Sequence, residues 1–452
     1  MSLSVVILAA GKGTRMRSAL PKVLHPIAGK PMVQRIIDTV KELGAEQINL
    51  IYGHGADLLK AKIDEPNLNW CYQQEQLGTG HAVQQAVPYL HDEDDVLVLV
   101  GDAPLIKKDT LARLVAARAE ADFGLLTVHL EDPTGMGRII RDGDNITAIV
   151  EHKDATDAQR AITEINTGMM LMNAGDLKRW LGQLSNDNAQ GEYYLTDVIA
   201  MAAAEGKRIR AAHPTAVHEV EGVNNRVQLT RLERAFQLEQ AEQAMLSGAS
   251  LADPQRFDVR GELIVGNDIS IDVNCVFEGK VVLGDNVVIE PNCILRNCSI
   301  GAGTVVAANS IIEDAEVEAN CQIGPYARLR PGAKMCEGAK VGNFVEMKKT
   351  ILGRGAKANH LTYLGDTIVG AGANIGAGTI TCNYDGVNKS KTVIGTNAFI
   401  GSNSSLVAPV SIGDEATVGA GSTVTKDVED GQLAIARAKQ RDIANWPRPT
   451  KK

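Results

Sequence analysis

"TVIGTNAFIGSNSSLVAPVSIGDEATVGAGSTVTK", residues 392–426, repeats an aliphatic residue every six positions: Ile394, Ile400, Leu406, Ile412, Val418 and Val424. Most are followed by glycine. A strict period of six predicts a parallel β-helix of hexapeptide repeats, whose coils stack their aliphatics in a shared interior. Val369 and Ile375 keep the spacing upstream, and Leu283, Ile289, Ile300, Val306, Ile312, Val317, Ile323 and Leu329 extend it with small slips. A bare repeat could be an inert spacer. Two interruptions argue otherwise, "YARLRPGAKMCEGAKVGNFVEMKKT" at 326–350 and "TCNYDGVNKSK" at 381–391, because insertions in a solenoid collect on a binding face.

The first half has another rhythm. From residue 1 to Arg226, short apolar runs (VVILAA, INLIYG, VLVLVGD) alternate with helical patterns (MVQRIIDTVKELG, LGTGHAVQQAVPYL), which predicts a doubly wound, mainly parallel α/β sheet of Rossmann-like build. Ligands of such sheets bind beyond the carboxyl ends of strands, where Gly11–Arg15 and Gly101-Asp102 both fall. "LAAGKGTRMRSALPKVL", Leu8–Leu24, is not a P-loop, and Met16 stands where a dinucleotide fingerprint needs its third glycine. It keeps the physics those motifs share: glycines let backbone N–H groups approach an anion, and basic side chains lie beside them. Asn224–Gly248 then reads as one long helix with too irregular a spacing for a coiled coil. The expected organisation is a domain over 1–226, a linker helix over 227–247 and a repeat domain over 248–452.

Composition sets the surroundings. The 452 residues carry 46 Lys+Arg against 55 Asp+Glu, a net charge of -9, which argues against a nucleic-acid or anionic-membrane surface. Seven scattered cysteines without a C-x-x-C pair suggest reduced thiols and a cytoplasmic protein. No apolar run approaches the ~20 residues of a membrane span, and Val5–Ala10 is too short for a signal peptide.

"LAAGKGTRM" with "LPKVLHPIAGKPM" resembles the signature of sugar-nucleotide pyrophosphorylases, and the tail resembles the hexapeptide acyltransferases. With "QLGTGHA", "GRIIR", "EHKDA", "EINTG", "GEYYLTD", "EGVNNR", "RLRPG", "VGNFVEMKK", "NHLTYLGD", "NIGAGTITCNYDG" and "GSNSSLVAP", the chain resembles, over nearly its whole length, the bacterial bifunctional N-acetylglucosamine-1-phosphate uridylyltransferases / glucosamine-1-phosphate N-acetyltransferases. That resemblance implies a left-handed β-helix and a homotrimer. It also implies acetyl transfer from acetyl-CoA in the second domain and Mg2+-dependent uridylyl transfer from UTP in the first. The product, UDP-N-acetylglucosamine, is a precursor of peptidoglycan and lipopolysaccharide.

For the first domain the resemblance implies that Leu8, Ala9, Ala10 and Gly11 hold the nucleotide largely by backbone, with Val100 and Gly101 beside it. Arg15 and Lys22 face its phosphates, offsetting the repulsion between two anionic reactants. Gln73, Gly78 and Thr79 read the uracil edge; Gly137, Glu151 and Asn166 hold the sugar. Asp102 and Asn224 bind the metal, a small set that suits Mg2+, which keeps waters and phosphates as its other ligands. Val100 and Met136 stand where relatives commonly carry tyrosine, which would alter substrate affinity more than reaction type.

For the second domain it implies His360 as the base that accepts the amine proton, with Glu346 as an orienting partner. Arg330, Lys348, Tyr363, Asn374 and Lys389 bind the sugar phosphate. Ala377, Asn383, Tyr384, Ser402, Ala420 and Arg437 line the acetyl-CoA site, Asn383 and Ser402 as oxyanion donors, and more than one chain completes each site. The rival readings are a single-activity nucleotidyltransferase with a regulatory β-helix and a non-catalytic assembly subunit. His360 with Lys348 and Tyr363 argues against the first, and the presence of Lys22, Asp102 and Asn224 against the second.

Overall fold

The computed structural model describes residues 2–53 and 55–451. Its contacts form two compact units, Met1–Phe236 and Gln237–Lys452.

Nine strands form the sheet of the first unit: β1 Leu3–Leu8, β2 Gln47–Tyr52, β3 Leu68–Tyr72, β4 Asp95–Val100, β5 Phe123–His129, β6 Arg138–Asp142, β7 Asn145–Val150, β8 Glu164–Asn173 and β9 Ile209–Ala212. Their order is β9-β5-β8-β4-β1-β2-β3, with the β6–β7 hairpin paired to β8. β1 runs parallel to β2 and β4, while β8 enters antiparallel between β4 and β5. β1 is apolar on both faces because both are covered: Val5 and Ile7 join one core cluster and Val6 the other. Leu97 and Leu99 of β4 divide from Val96 and Val98 in the same way. Since Leu8 pairs with Val100, the loops leaving β1 and β4 start side by side, and Gly101 N donates to Leu8 O at 2.8 Å.

The boundary between the units falls inside the helix Arg226–Leu246. In its first half Leu232 is buried with Met16, Ile27, Met32 and Val223. In its second half Ala241 and Ala244 belong to the interior of the repeat unit, and the buried Gln237 amide exchanges hydrogen bonds with the backbone of Val259.

The repeat unit is a parallel β-helix. Ile394 pairs with Ile412 and Ile400 with Val418, eighteen residues on, so three hexapeptides make one coil. The slips have two causes. Val341 pairs with Ala358 and Ala358 with Ile375, seventeen residues on, while Ile375 pairs with Ile400, twenty-five on, because the 381–391 insertion loops out. All the aliphatics of the six-residue pattern, from Leu283 to Val424, are buried. The cysteines are free thiols, and burial pushes Cys275 up to about 11 and Cys293 up to about 12.

Candidate active sites

In the first unit, the loops after β1, β3 and β4 enclose a cavity of about 270 Å³. Leu8, Ala9, Ala10, Gly11, Lys22, Gln73, Gly78, Thr79, Val100 and Asp102 line it, so residues more than ninety positions apart in sequence meet as expected. Gln76 and Glu192 line it too, and nothing in their spacing singled them out. Glu192 is the second residue of "GEYYLTD", and that segment pins the opposite wall: Tyr193 N donates to Leu77 O, Gly80 N to Tyr193 O, both at 2.8 Å, and Leu195 N to Thr79 Oγ1 at 3.1 Å. Gly78 has φ +116°, and a Cβ there would stand 2.5 Å from Tyr193 O. Gly13 is required for the same reason, since a Cβ would meet the Lys22 stem at 2.7 Å.

At the mouth, Lys22 Nζ donates to Asp102 Oδ2 at 2.5 Å and to Asn224 Oδ1 at 3.4 Å. Arg15 Nη2 donates to Asn224 Oδ1 at 2.9 Å. The two expected metal ligands therefore already converge on one cation. Val223 N donates to Asp102 O at 2.9 Å, and Gly222 leaves room for the carboxylate, which a Cβ there would approach to 3.3 Å. A carboxylate and an amide oxygen on one cation, next to a phosphate-sized space, fit a divalent ion that completes its shell with waters and phosphate. Among the described residues no cluster of three or more His, Cys, Asp or Glu exists that could hold a metal without such help.

Gly137, Glu151 and Asn166 form a second group beyond the cavity wall. Asn166 N donates to Gly137 O at 2.9 Å, and the Glu151 carboxylate lies where a Cβ on Gly137 would meet it at 3.4 Å. Thr196 Oγ1 donates to Glu151 at 3.2 Å. Burial, with Asp154 and Asp197 nearby, holds the Glu151 carboxyl above the usual range despite that bond. Val100 faces both groups, because it lines the cavity and packs at Gly168, whose N–H is bonded to Asn166 Oδ1.

In the second unit, Asn343 pairs with His360, and the residues two beyond Ile375, Ile400 and Val418 are Ala377, Ser402 and Ala420. His360, Ala377, Ser402 and Ala420 thus stack at one corner of successive coils. Gly378 N donates to His360 O, Asn403 N to Ala377 O and Gly421 N to Ser402 O, and Arg437 folds back so that its guanidinium donates to Ala420 O. His360 Nδ1 lies 2.6 Å from Asn343 Oδ1. An amide oxygen only accepts, so Nδ1 carries the proton and Nε2 keeps its lone pair. Glu346 is not the partner of His360 here; Arg330 Nη1 donates to it at 2.7 Å. Asn343, inside the quoted "VGNFVEMKK", is the partner of His360 that sequence reading did not single out.

On the neighbouring face, Arg330 and Lys348 occupy equivalent positions of adjacent coils, since Arg328 pairs with Glu346. A Tyr384–Lys389 bridge folds the 381–391 loop back, and the Lys389 ammonium, with Arg330 nearby, holds the Lys348 amine below its usual range. Crowded cations of this kind suit a phosphate. The hydroxyl of Tyr363 and the amide nitrogen of Asn383 both crowd Gly365. Asn383 Nδ2 donates to Asp366 at 2.6 Å, which leaves one of its two N–H groups for an oxyanion. Asn374 lies on the adjoining face, paired with Lys357 and Phe399.

Fold and sites together define a nucleotidyltransferase joined to a hexapeptide-repeat transferase. Residues 5–165 match the MobA-like NTP transferase domain, 259–335 the GMPPB C-terminal domain and 391–426 the hexapeptide repeat of succinyl-transferase. The chain is 69% identical over 451 residues, covering 100% of both sequences, to the bifunctional protein GlmU of Pseudoalteromonas atlantica. It belongs to the family of bifunctional GlmU proteins. Among solved structures, a UDP-glucose pyrophosphorylase complexed with UDP-glucose is 18% identical and covers 52% of this chain and 98% of its own, at a TM-score of 0.42. HddC from Yersinia pseudotuberculosis complexed with GMP-PN is 20% identical, covers 52% of this chain and 100% of its own, at 0.39.

Proposed function

We propose that the chain makes UDP-N-acetylglucosamine in two steps, acetylating glucosamine-1-phosphate in the repeat unit and uridylylating the product in the first unit. The observation that carries this reading is the convergence of Arg15, Lys22, Asp102 and Asn224 at the mouth of the cavity in the first unit; within the second unit, His360 heads a column of small residues.

In the first step the sugar amine attacks the thioester carbon of acetyl-CoA. His360 Nε2 takes the amine proton and CoA leaves as the thiol after protonation. Asn343 keeps His360 in the required tautomer. Arg330, Lys348 and Lys389, with Tyr363 and Asn374, hold the sugar phosphate. Ala377, Ser402, Ala420, Tyr384 and Arg437 take the cofactor, and the free N–H of Asn383 faces the developing oxyanion.

In the second step an oxygen of the sugar phosphate attacks the α-phosphorus of UTP and pyrophosphate leaves. Lys22 and Arg15 offset the negative charge that gathers there. Leu8, Ala9, Ala10, Gly11 and Gly101 present backbone to the nucleotide, Gln73, Gly78 and Thr79 read its base, and Gly137, Glu151 and Asn166 hold the sugar. Asp102 and Asn224 would bind Mg2+, which supplies charge neutralisation on the phosphates. Lys22, bonded to both, has to give up part of that contact to follow the phosphates.

The working assembly is a homotrimer in the cytoplasm. Beside His360, Tyr326, Phe344 and Leu361 project apolar side chains at 52%, 56% and 62% exposure, with φ of +56°, +57° and +51°, where bulky residues are rare. The rings of Tyr326 and Phe344 stack at 5.3 Å. Three strained, exposed apolar residues in adjoining coils suit cover by a second copy of this chain. No helix of the described residues is long and apolar enough to cross a membrane. The test is a product assay with glucosamine-1-phosphate, acetyl-CoA, UTP and Mg2+, each omitted in turn. Formation of UDP-N-acetylglucosamine without acetyl-CoA, or none in the full mixture, would refute the reading.

A further inference from the structure

We infer that His81 is a positioning residue that sets base selection by fixing the amide of Gln73. This rests on the reading that the cavity at Leu8–Gly11 holds the nucleotide with its base toward Gln73.

Gln73 follows β3, is 3% exposed and lines the cavity. Its backbone is anchored by Gln73 N donating to Tyr52 O at 2.8 Å. Its side-chain Nε2 stands 3.3 Å from Gly78 O and 3.1 Å from His81 Nδ1. A backbone carbonyl only accepts, so Gly78 O decides which end of the amide is the NH2. That NH2 has two hydrogens, one for Gly78 O and one for His81 Nδ1, which must therefore offer its lone pair. On the ring's far side, the Gln85 NH2 gives one hydrogen to His81 O at 2.9 Å and stands 3.3 Å from His81 Nε2, so both amides approach the ring as donors while a neutral imidazole has one lone pair, and the Gln73 contact at 3.1 Å is the shorter. The lone pair thus serves the nearer amide, that of Gln73.

The consequence is a site with an acceptor and no spare donor. Gln73 Oε1 takes no hydrogen bond among the described residues and is the atom left for a ligand. Uracil offers N3–H between two carbonyls, which such an oxygen accepts. Cytosine offers a lone pair at N3, which it repels. Without the His81 acceptor the amide would be held in one orientation only by Gly78 O, at the longer of the two distances, and could turn its NH2 to a cytosine ring. Gly78 is itself fixed against Tyr193, so the frame on which His81 acts is rigid.

The experiment compares kcat/KM for UTP and CTP in the full chain carrying His81→Phe and His81→Asn, with thermal unfolding of each variant as the control for folding. His81→Phe removes the acceptor and keeps a ring; it should lower the UTP:CTP ratio about tenfold, the worth of one hydrogen bond, mainly through KM for UTP. His81→Asn can place an acceptor oxygen near the Nδ1 position and should recover most of the ratio. Equal loss for both nucleotides in both variants, with the ratio kept, would make His81 merely structural and overturn the inference. Gln73→Leu separates the underlying reading: if it leaves KM for UTP unchanged, the base is not read at Gln73. A large rise in that KM, with the ratio unmoved in His81→Phe, would refute only the role of His81.

Discussion

Lys22 Nζ lies 2.5 Å from Asp102 Oδ2, with both side chains largely sheltered from solvent. The pair joins a residue of the loop after β1 to one of the loop after β4, and in the proposed function its members carry the charges that uridylyl transfer needs separately, a cation for phosphate and an anion for metal. Each is the other's placeholder until substrates arrive. Lys22→Met should therefore lower kcat for uridylyl transfer by about 10²–10³-fold, the cost of one preorganised electrostatic contact, while leaving acetyl transfer intact. The same variant frees Asp102, so Mn2+ titrated into substrate-free protein and followed by electron paramagnetic resonance should bind more tightly than in wild type. Weaker Mn2+ binding would count against Asp102 as the ligand.

Gly78→Ala tests the rigid wall. At φ +116°, with Tyr193 O at 2.5 Å from the added carbon, the change forces the 77–80 turn away from the 192–195 segment. Strain of about 1–3 kcal/mol is expected, released by moving the turn. KM for UTP should rise at least tenfold with the acetyl reaction unchanged. A variant with wild-type uridylyl kinetics would show that the turn does not shape the nucleotide site.

The raised carboxyl of Glu151 has a pH signature. Below its ordinary value Glu151 is protonated folded and unfolded, and the stability it contributes is complete. As pH rises toward the raised value the unfolded chain releases the proton first, so that stability is lost. Glu151→Gln keeps a partner for Thr196 and removes the ionisation. It should flatten the decline of Tm above pH 4.5, raising Tm at neutral pH by about 2–4 °C for each kcal/mol recovered. Asp197, also raised by burial, keeps part of the slope in the variant. Sugar-phosphate KM should rise in parallel; a lower Tm at pH 7 would show that the Glu151 charge is stabilising.

The six-residue period of Ile394–Val424 was legible because burial in a solenoid imposes it on sequence directly. Loops after β1 and β4 were legible too, because parallel strands deliver their carboxyl ends to one edge. What could not be read was pairing. Asn343 meets His360 only because coils of seventeen residues superpose them, and the length of a coil is set by turns that carry no aliphatic marker. Likewise Glu192 reaches the cavity through hydrogen bonds of the Gly78 turn, a long-range contact with no local pattern.

That superposition also bears on how the subunits of the proposed trimer would divide an acetyl site. His360, Ala377, Ser402 and Ala420 occupy one corner of a single chain, with Arg437 bonded back to Ala420 O, and adjacent coils are about 4.8 Å apart. An extended pantetheine arm could run along that corner and meet His360 and Arg437 of the same subunit, while the neighbour supplies the opposite wall over Tyr326, Phe344 and Leu361. His360→Ala should lower acetyl transfer by about 10²–10⁴-fold, and Asn343→Ala by less, with the alkaline plateau of its pH–rate profile kept. If both residues serve one site from one chain, His360→Ala and Arg437→Ala subunits mixed into the same trimers place a defect in every site. Such mixtures should show no more acetyl transfer than the weighted mean of the two variants. Activity well above that mean would put Arg437 across the interface from His360, and an active monomer in sedimentation would remove the shared wall altogether.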